Sequence, residues 1–343
     1  MTSNPYSIFE KAEKKRNASK FLEAIPLYLE AKRLSSVDKE LKTACYFSLG
    51  DTYRMVGDFT KAGKCYTEAH KIVTKLGDEV RAFDALVGLG LSFRAMGDFR
   101  QALESFKQCL KGYKKLKDEA GIAFTMWANA GALRIKGDLN GALKGFEEAK
   151  AMFTRLKDKS GVGYCYTGLG GASRVAGDYD ASNKYYKEAN KTFRSIKDTF
   201  GIAYSYCGIA NSMRMKGDFK GSLVYFKNAK TNYKKIGDKV SYAYTLWGEG
   251  TALQILGKAD AALKDFKEAQ KLFKETKDRR GLIYCQLSIG QLEFKKRPEK
   301  GIKMLKEALE KVEQLGLGVE IRYAKQALKA AQKNPDSIPL NLA

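Results

Sequence analysis

Apolar positions recur along this chain with two periods at once. Locally they keep helical spacing: within residues 44–78, Tyr46, Gly50 and Tyr53 lie four and seven positions apart, with Leu49 at the flank of that stripe. After Gly57 and Asp58 a second stripe runs through Phe59, Ala62, Tyr66, Ala69 and Val73. Residues three and four apart share a helix face, so each stretch reads as an amphipathic helix. At long range the whole pattern returns every 40 residues: YRMVGDF at 53–59 becomes FRAMGDF at 93–99, LRIKGDL at 133–139, SRVAGDY at 173–179 and MRMKGDF at 213–219. A period that does not drift marks one supersecondary unit copied along the chain.

The residues between the stripes predict how the helices join. Glycine suits the left-handed residue that closes a helix, and aspartate caps the next one, so each Gly-Asp reads as the turn of a helical hairpin. LGD at 76–78, LKD at 116–118 and 156–158, IKD at 196–198, IGD at 236–238 and TKD at 276–278 repeat that grammar between units. Connections this short make neighbouring helices antiparallel. Only five prolines occur, and none falls between Pro26 and Pro298, so helix is uninterrupted there.

The combination of Tyr46, Leu49, Gly50, Tyr53, Ala62, Tyr66 and Ala69, with matching sets in later copies, resembles the tetratricopeptide repeat. It departs from the usual unit in its 40-residue period, against about 34, and in lacking the proline that ends the second helix. The resemblance covers about 5–315 and implies an all-α, right-handed α-solenoid of about eight helical hairpins. The units are expected as a degenerate first one over 1–40, marked by Phe21, Ala24, Tyr28 and Ala31, then six regular ones over 41–280 and an atypical last one over 281–318. A capping helix over 319–333 and a disordered tail over 334–343 would complete the chain.

Helical geometry then sorts the first helix of each unit into faces. At about 100° per residue, the stripe of Tyr46, Gly50 and Tyr53 faces its hairpin partner. Small residues in every copy (Ser48, Gly88, Ala128, Gly168, Gly208, Gly248 and Ser288) line the opposite flank and let an adjacent unit approach closely. What stays open is a strip carrying Arg54, Arg94, Arg134, Arg174 and Arg214, followed by Gln254. An aromatic column, Phe124, Tyr164, Tyr204, Tyr244 and Tyr284, shares that strip, as do Trp127 and Trp247. The resemblance implies that this strip lines the concave surface.

Five of the 15 arginines occupy that one column in a chain whose other 47 basic residues are lysine. A lysine near a helix C-terminus satisfies the dipole equally well, whereas arginine suits planar, bidentate contact with carboxylates. A structural role for the column, through the dipole or the nearby aspartate, stands beside the ligand reading. The tyrosines are read evenly between ligand contact and packing. In the column of Leu49, Leu89 and Leu169, two polar residues break the pattern: Asn129 in WAN and Glu249 in WGE. Either each turns outward while its tryptophan turns inward, the preferred reading, or both are buried contacts to a neighbouring unit.

The net charge is +23, and much of it is lysine on the second helices, which reads as a solvated outer face. A single histidine, His70, and no phosphate-cradling glycine loop leave little from which to assemble an enzyme. No cofactor, metal or small-molecule substrate is expected. Six cysteines without a C-x-x-C pair, three of them (Cys45, Cys165 and Cys285) in one small-residue column, read as buried thiols. No apolar run is long enough to span a bilayer and no leader is apparent, so a cytoplasmic location is expected. The function these features support is that of a non-enzymatic adaptor or scaffold binding a partner's acidic segment, extended or helical, in a basic, aromatic-lined groove. A nucleic-acid-associated protein using its basic surface on phosphates is the alternative.

Overall fold

The computed structural model describes residues 4–342. Within them the chain forms 17 α-helices and no strand. The first hairpin is α1 (Pro5–Asn17) with α2 (Phe21–Leu34), the second α3 (Lys39–Met55) with α4 (Phe59–Lys75). Then come α5 (Glu79–Ala95) with α6 (Phe99–Leu116), α7 (Glu119–Lys136) with α8 (Leu139–Arg155), and α9 (Lys159–Ala176) with α10 (Tyr179–Ser195). The array continues through α11 (Thr199–Met215) with α12 (Phe219–Ile236), α13 (Lys239–Ile255) with α14 (Ala259–Glu275), and α15 (Arg279–Lys296) with α16 (Pro298–Leu315). A single helix, α17 (Gly318–Lys333), follows. The fold is the expected all-α solenoid, each helix packing on the next.

Local chemistry explains the hairpins. Gly57, Gly97, Gly137, Gly177 and Gly217 take φ between +80° and +99°, which an L side chain adopts only with strain. The aspartate that follows each accepts a hydrogen bond from the backbone N–H three residues on, as Asp58 does from Lys61, a cap worth about 1 kcal/mol. Between units the same left-handed position is filled by Gly77 and Gly237 but also by Lys117, Lys157, Lys197 and Lys277, and Asp78 through Asp278 cap the next helix.

One aromatic ring per unit wedges two first helices apart. A Cβ at either Gly50 or Gly88 would overlap the Tyr66 ring, and Tyr186 stands likewise between Gly170 and Gly208. The glycines of the hairpin stripe and of the small-residue flank are thus two walls of one slot. Cys45, Cys165 and Cys285 are fully buried, and burial pushes the Cys45 and Cys165 thiols up to about 12. Glu249 takes the second of its two expected places: it ion-pairs with Lys230 on α12 of the preceding unit. Asn129 lines a shallow outer pocket with Leu110, Lys114 and Leu133.

The solenoid turns far enough to meet itself. Gly57, in the second hairpin, lies against Val240 and Thr276, and Gly237 lies against Leu22. Phe21, Tyr28 and Tyr66 share one core with Ala203, Ala229 and Tyr233. At the other end, Leu317 packs with Phe99 and Ile135, and Arg322 on α17 donates to the carbonyl of Val175 (2.7 Å). Residues beyond α17 do not form the disordered tail expected from the sequence. Pro335–Ser337 make a 3-10 turn, and Ile338 and Leu342 are buried beside Val175 and Trp247. Two apolar side chains there join the buried cluster instead of staying in water. Ala343 lies outside the described residues.

Candidate ligand-binding groove

The five arginines stand near the C-terminal ends of α3, α5, α7, α9 and α11, one per unit, and face a shared interior. The interior is narrow: Tyr164 acts electrostatically on Arg54, and Tyr204 on Arg94, although each pair is more than 100 residues apart in sequence.

Each arginine has different company. Arg54 is answered at home: its Nη1 lies 3.5 Å from Asp51 Oδ1 and 3.4 Å from the Tyr66 hydroxyl, which itself donates to Asp51 (2.6 Å). Arg94 reaches into the next unit, where Nη1 donates to the carbonyl of Ala128 (3.2 Å) and the guanidinium sits 5.2 Å from the centre of the Trp127 ring. Gly131 makes room for it, since a Cβ there would overlap Arg94 Nη1, whereas a Cβ at Gly171 would only touch Arg134. Burial, and then the like charges of Arg54 and Arg134, push Arg94 down to about 9. It therefore stays protonated at neutral pH in unfavourable surroundings. Arg174 differs: burial disfavours its charge, but Tyr186, Tyr323 and Tyr284 around it raise its pKa on balance, while its Nε and Nη1 are buried with no hydrogen-bond partner among the described residues.

Arg214 is fully buried; both of its terminal nitrogens donate, while its Nε has no partner among the described residues. Its Nη2 donates to the carbonyl of Leu342 (2.9 Å) and to Asn211 Oδ1 (3.2 Å), and its Nη1 donates to Asn341 Oδ1. The Asn341 amide donates back to the Arg214 carbonyl (2.9 Å). The guanidinium stacks 5.4 Å from the Trp247 ring centre.

The aromatic column divides. Phe124 is 41% exposed, and Tyr204 is half-buried, stacked on Phe200. Tyr164 and Tyr244 pack edge-on against Phe193 and Phe273 and donate their hydroxyls to the capping carboxylates of Asp198 (3.1 Å) and Asp278 (3.2 Å). Tyr284 and Trp247 are buried: Tyr284 donates to Glu320 (2.8 Å) in an ion-paired cluster with Arg280, and Trp247 donates to Ser288 (2.9 Å). Trp127 is half-buried, donating to the carbonyl of Tyr164 (3.2 Å). The structure thus brings together the arginines, Trp127, Phe124, Tyr164 and Tyr204, and commits Tyr244, Tyr284 and Trp247 to packing. Sequence reasoning missed Gln291, Asn211 and the segment 338–342. It also missed the glycine seat at 131, although Gly131 stands where other copies carry Asp51, Leu91, Asn211 and Thr251.

A helical-hairpin solenoid with a basic, partly aromatic inner wall defines the class. The tetratricopeptide repeat model matches residues 42–115, and the hairpins on either side of that stretch are of the same type. No curated protein sequence matches it. Among solved structures, a Rap protein complexed with Competence and Sporulation Factor is similar over 97% of this chain and 99% of that one, at 14% identity and a TM-score of 0.64. The Rap conjugation gene regulator of the plasmid pLS20, in complex with the Phr* peptide, covers 99% of this chain and 100% of its own, at 13% identity and a TM-score of 0.59. Aspartyl phosphate phosphatase F from Bacillus subtilis covers 97% and 94%, at 13% identity and a TM-score of 0.52. At these identities the likeness is one of fold. Among the described residues no helix is long and apolar enough to cross a membrane.

Proposed function

We propose that the inner groove binds an extended acidic segment of a partner protein, and that the chain is an adaptor with no catalytic chemistry of its own. The observation that carries this reading is the unanswered charge between Arg94 and Arg174: among the described residues no carboxylate pairs with either, and two nitrogens of Arg174 are buried without a partner. A buried, unpaired cation costs several kcal/mol, of which a bound carboxylate returns a share. Phe124, Trp127 and Tyr204 supply apolar surface beside the arginines, suited to side chains lying between the acids. Helices about 8–10 Å apart would present arginines at about every third residue of an extended chain, which advances about 3.3 Å per residue. A peptide complex among the similar folds supports a peptide ligand.

The test is fluorescence anisotropy with a labelled short peptide of alternating glutamate and leucine, on the wild type and on a variant with Arg94, Arg134 and Arg174 changed to Glu. The expected result is at least about a hundredfold weaker binding, from loss of charge-assisted contacts at about 1.5–3 kcal/mol each. Equal affinity in both proteins would overturn the reading. So would preference for a single-stranded oligonucleotide whose binding collapses with salt, which would move the basic surface to nucleic acid.

A further inference from the structure

The arginine column already has one occupant. Arg214 is the member whose two terminal nitrogens both donate, and two of its three acceptors, Asn341 Oδ1 and the Leu342 carbonyl, come from the segment after α17 rather than from the repeats. That segment makes the contacts expected of a peptide in such a groove. Its main chain is read by Gln291, whose Oε1 accepts from the Leu340 N–H (2.6 Å). Its carboxamide is bound at both ends, by the Arg214 side chain and the Arg214 carbonyl. Its apolar residues Ile338 and Leu342 are buried in the cluster that holds Val175 and Trp247.

We infer that residues 338–342 are a tethered ligand of the groove. They define at its Arg214 end a binding site for a short extended segment that offers two apolar anchors and, between and beside them, a carboxamide and a main-chain carbonyl to one guanidinium fork. The site takes peptide through main chain and amide, not through net negative charge, and so differs in chemistry from the neighbouring stretch at Arg94–Arg174. Tethering makes the second partner's effective concentration high, so an incoming segment that runs past Arg174 has to displace it. That last step rests on the acidic-peptide reading; the tethered contact itself does not.

Hydrogen exchange on the full chain, with no ligand added, separates the two. The Leu340 amide should exchange slowly in the wild type and about a hundredfold faster in Asn341→Ala, which lies outside the helical array and leaves its folding intact. Arg214→Lys keeps the charge but loses the fork, and should accelerate Leu340 as Asn341→Ala does. Leu340 exchanging at the rate of an unstructured segment in the wild type overturns the inference, as does protection that neither substitution changes. If the glutamate–leucine peptide fails to bind while Leu340 is protected in the wild type and released in Asn341→Ala, the tethered ligand stands and the acidic-peptide reading falls. Saturation by that peptide with Leu340 protection intact would remove the displacement step.

Discussion

Arg174 and Arg214 hold the same position in consecutive repeats, three residues before a Gly-Asp turn, and their surroundings differ almost completely. Arg214 has Asn211 one turn before it and the 338–342 segment in front of it, and three of its hydrogen bonds are made. Arg174 has Gly171 in the place of Asn211, Tyr323 of α17 nearby, and two buried nitrogens without partners among the described residues. One repeat therefore shows a member of the column bound through both terminal nitrogens, and its neighbour one whose Nη1 is buried without an acceptor among the described residues. The contrast favours ligand contact over a purely structural use of the arginines. A structural arginine would be answered from within the repeat in every copy, as Arg54 is by Asp51.

The largest expected effect separates these two residues directly. Both carry the penalty of a buried charge, which methionine of similar reach removes. Only Arg214→Met also gives up hydrogen bonds to Asn211, Asn341 and Leu342. Arg174→Met is thus expected to hold or raise stability. Arg214→Met should come out less stable than Arg174→Met by about 3 kcal/mol, since bonds to charged groups are worth about 1.5–3 kcal/mol each and part of that is recovered by relaxation. Urea denaturation of the two variants measures the difference, and equal midpoints would erase the distinction drawn between the residues.

A smaller effect comes with pH. Burial and two like charges hold Arg94 at about 9 in the free protein, and a bound carboxylate favours its charged form. Below about pH 8 the guanidinium is protonated both free and bound, so affinity for an acidic peptide is flat. Above 9 the free protein has lost a proton that the complex must take up, so affinity falls with rising pH, by at most about tenfold per unit for one linked proton. Peptide titrations at pH 7.5, 9 and 10 check this. Affinity that rises with pH, or a fall that persists unchanged in Arg94→Met, would assign the effect elsewhere.

The solenoid was legible because it is written locally and repeatedly: Gly57-Asp58 and its copies specify a turn whatever surrounds them, and Gly50 with Gly88 specify a slot for Tyr66. The arginine strip followed from helical angle alone. What no local pattern carried was closure of the superhelix. Contacts such as Gly57 with Val240, or Arg214 with Leu342, depend on small rotations summed over several units. The same summation explains the mixed fate of the aromatic column. Tyr164 and Tyr284 are equivalent by repeat, but α17 folds over only the second, where Glu320 takes its hydroxyl.

The two tryptophans turn this comparison into a readout, with the smallest signal of those considered. Trp127 and Trp247 are equivalent by repeat, and each lies under an arginine, Arg94 or Arg214. Trp127 is half-buried in the open stretch, whereas Trp247 is 4% exposed beneath the tethered segment. With Trp247→Phe the remaining reporter watches Arg94; with Trp127→Phe it watches Arg214. Acrylamide should quench the Trp127 reporter more strongly in the free protein, because quenching follows access. A peptide long enough to reach only from Arg94 to Arg174 should protect Trp127 and leave Trp247 unchanged. A longer one that evicts residues 338–342 should change both, since it replaces the cover over Trp247. If peptides of either length altered Trp247 alone, the ligand would be entering at the Arg214 end. The unanswered arginines would then have to be explained without it.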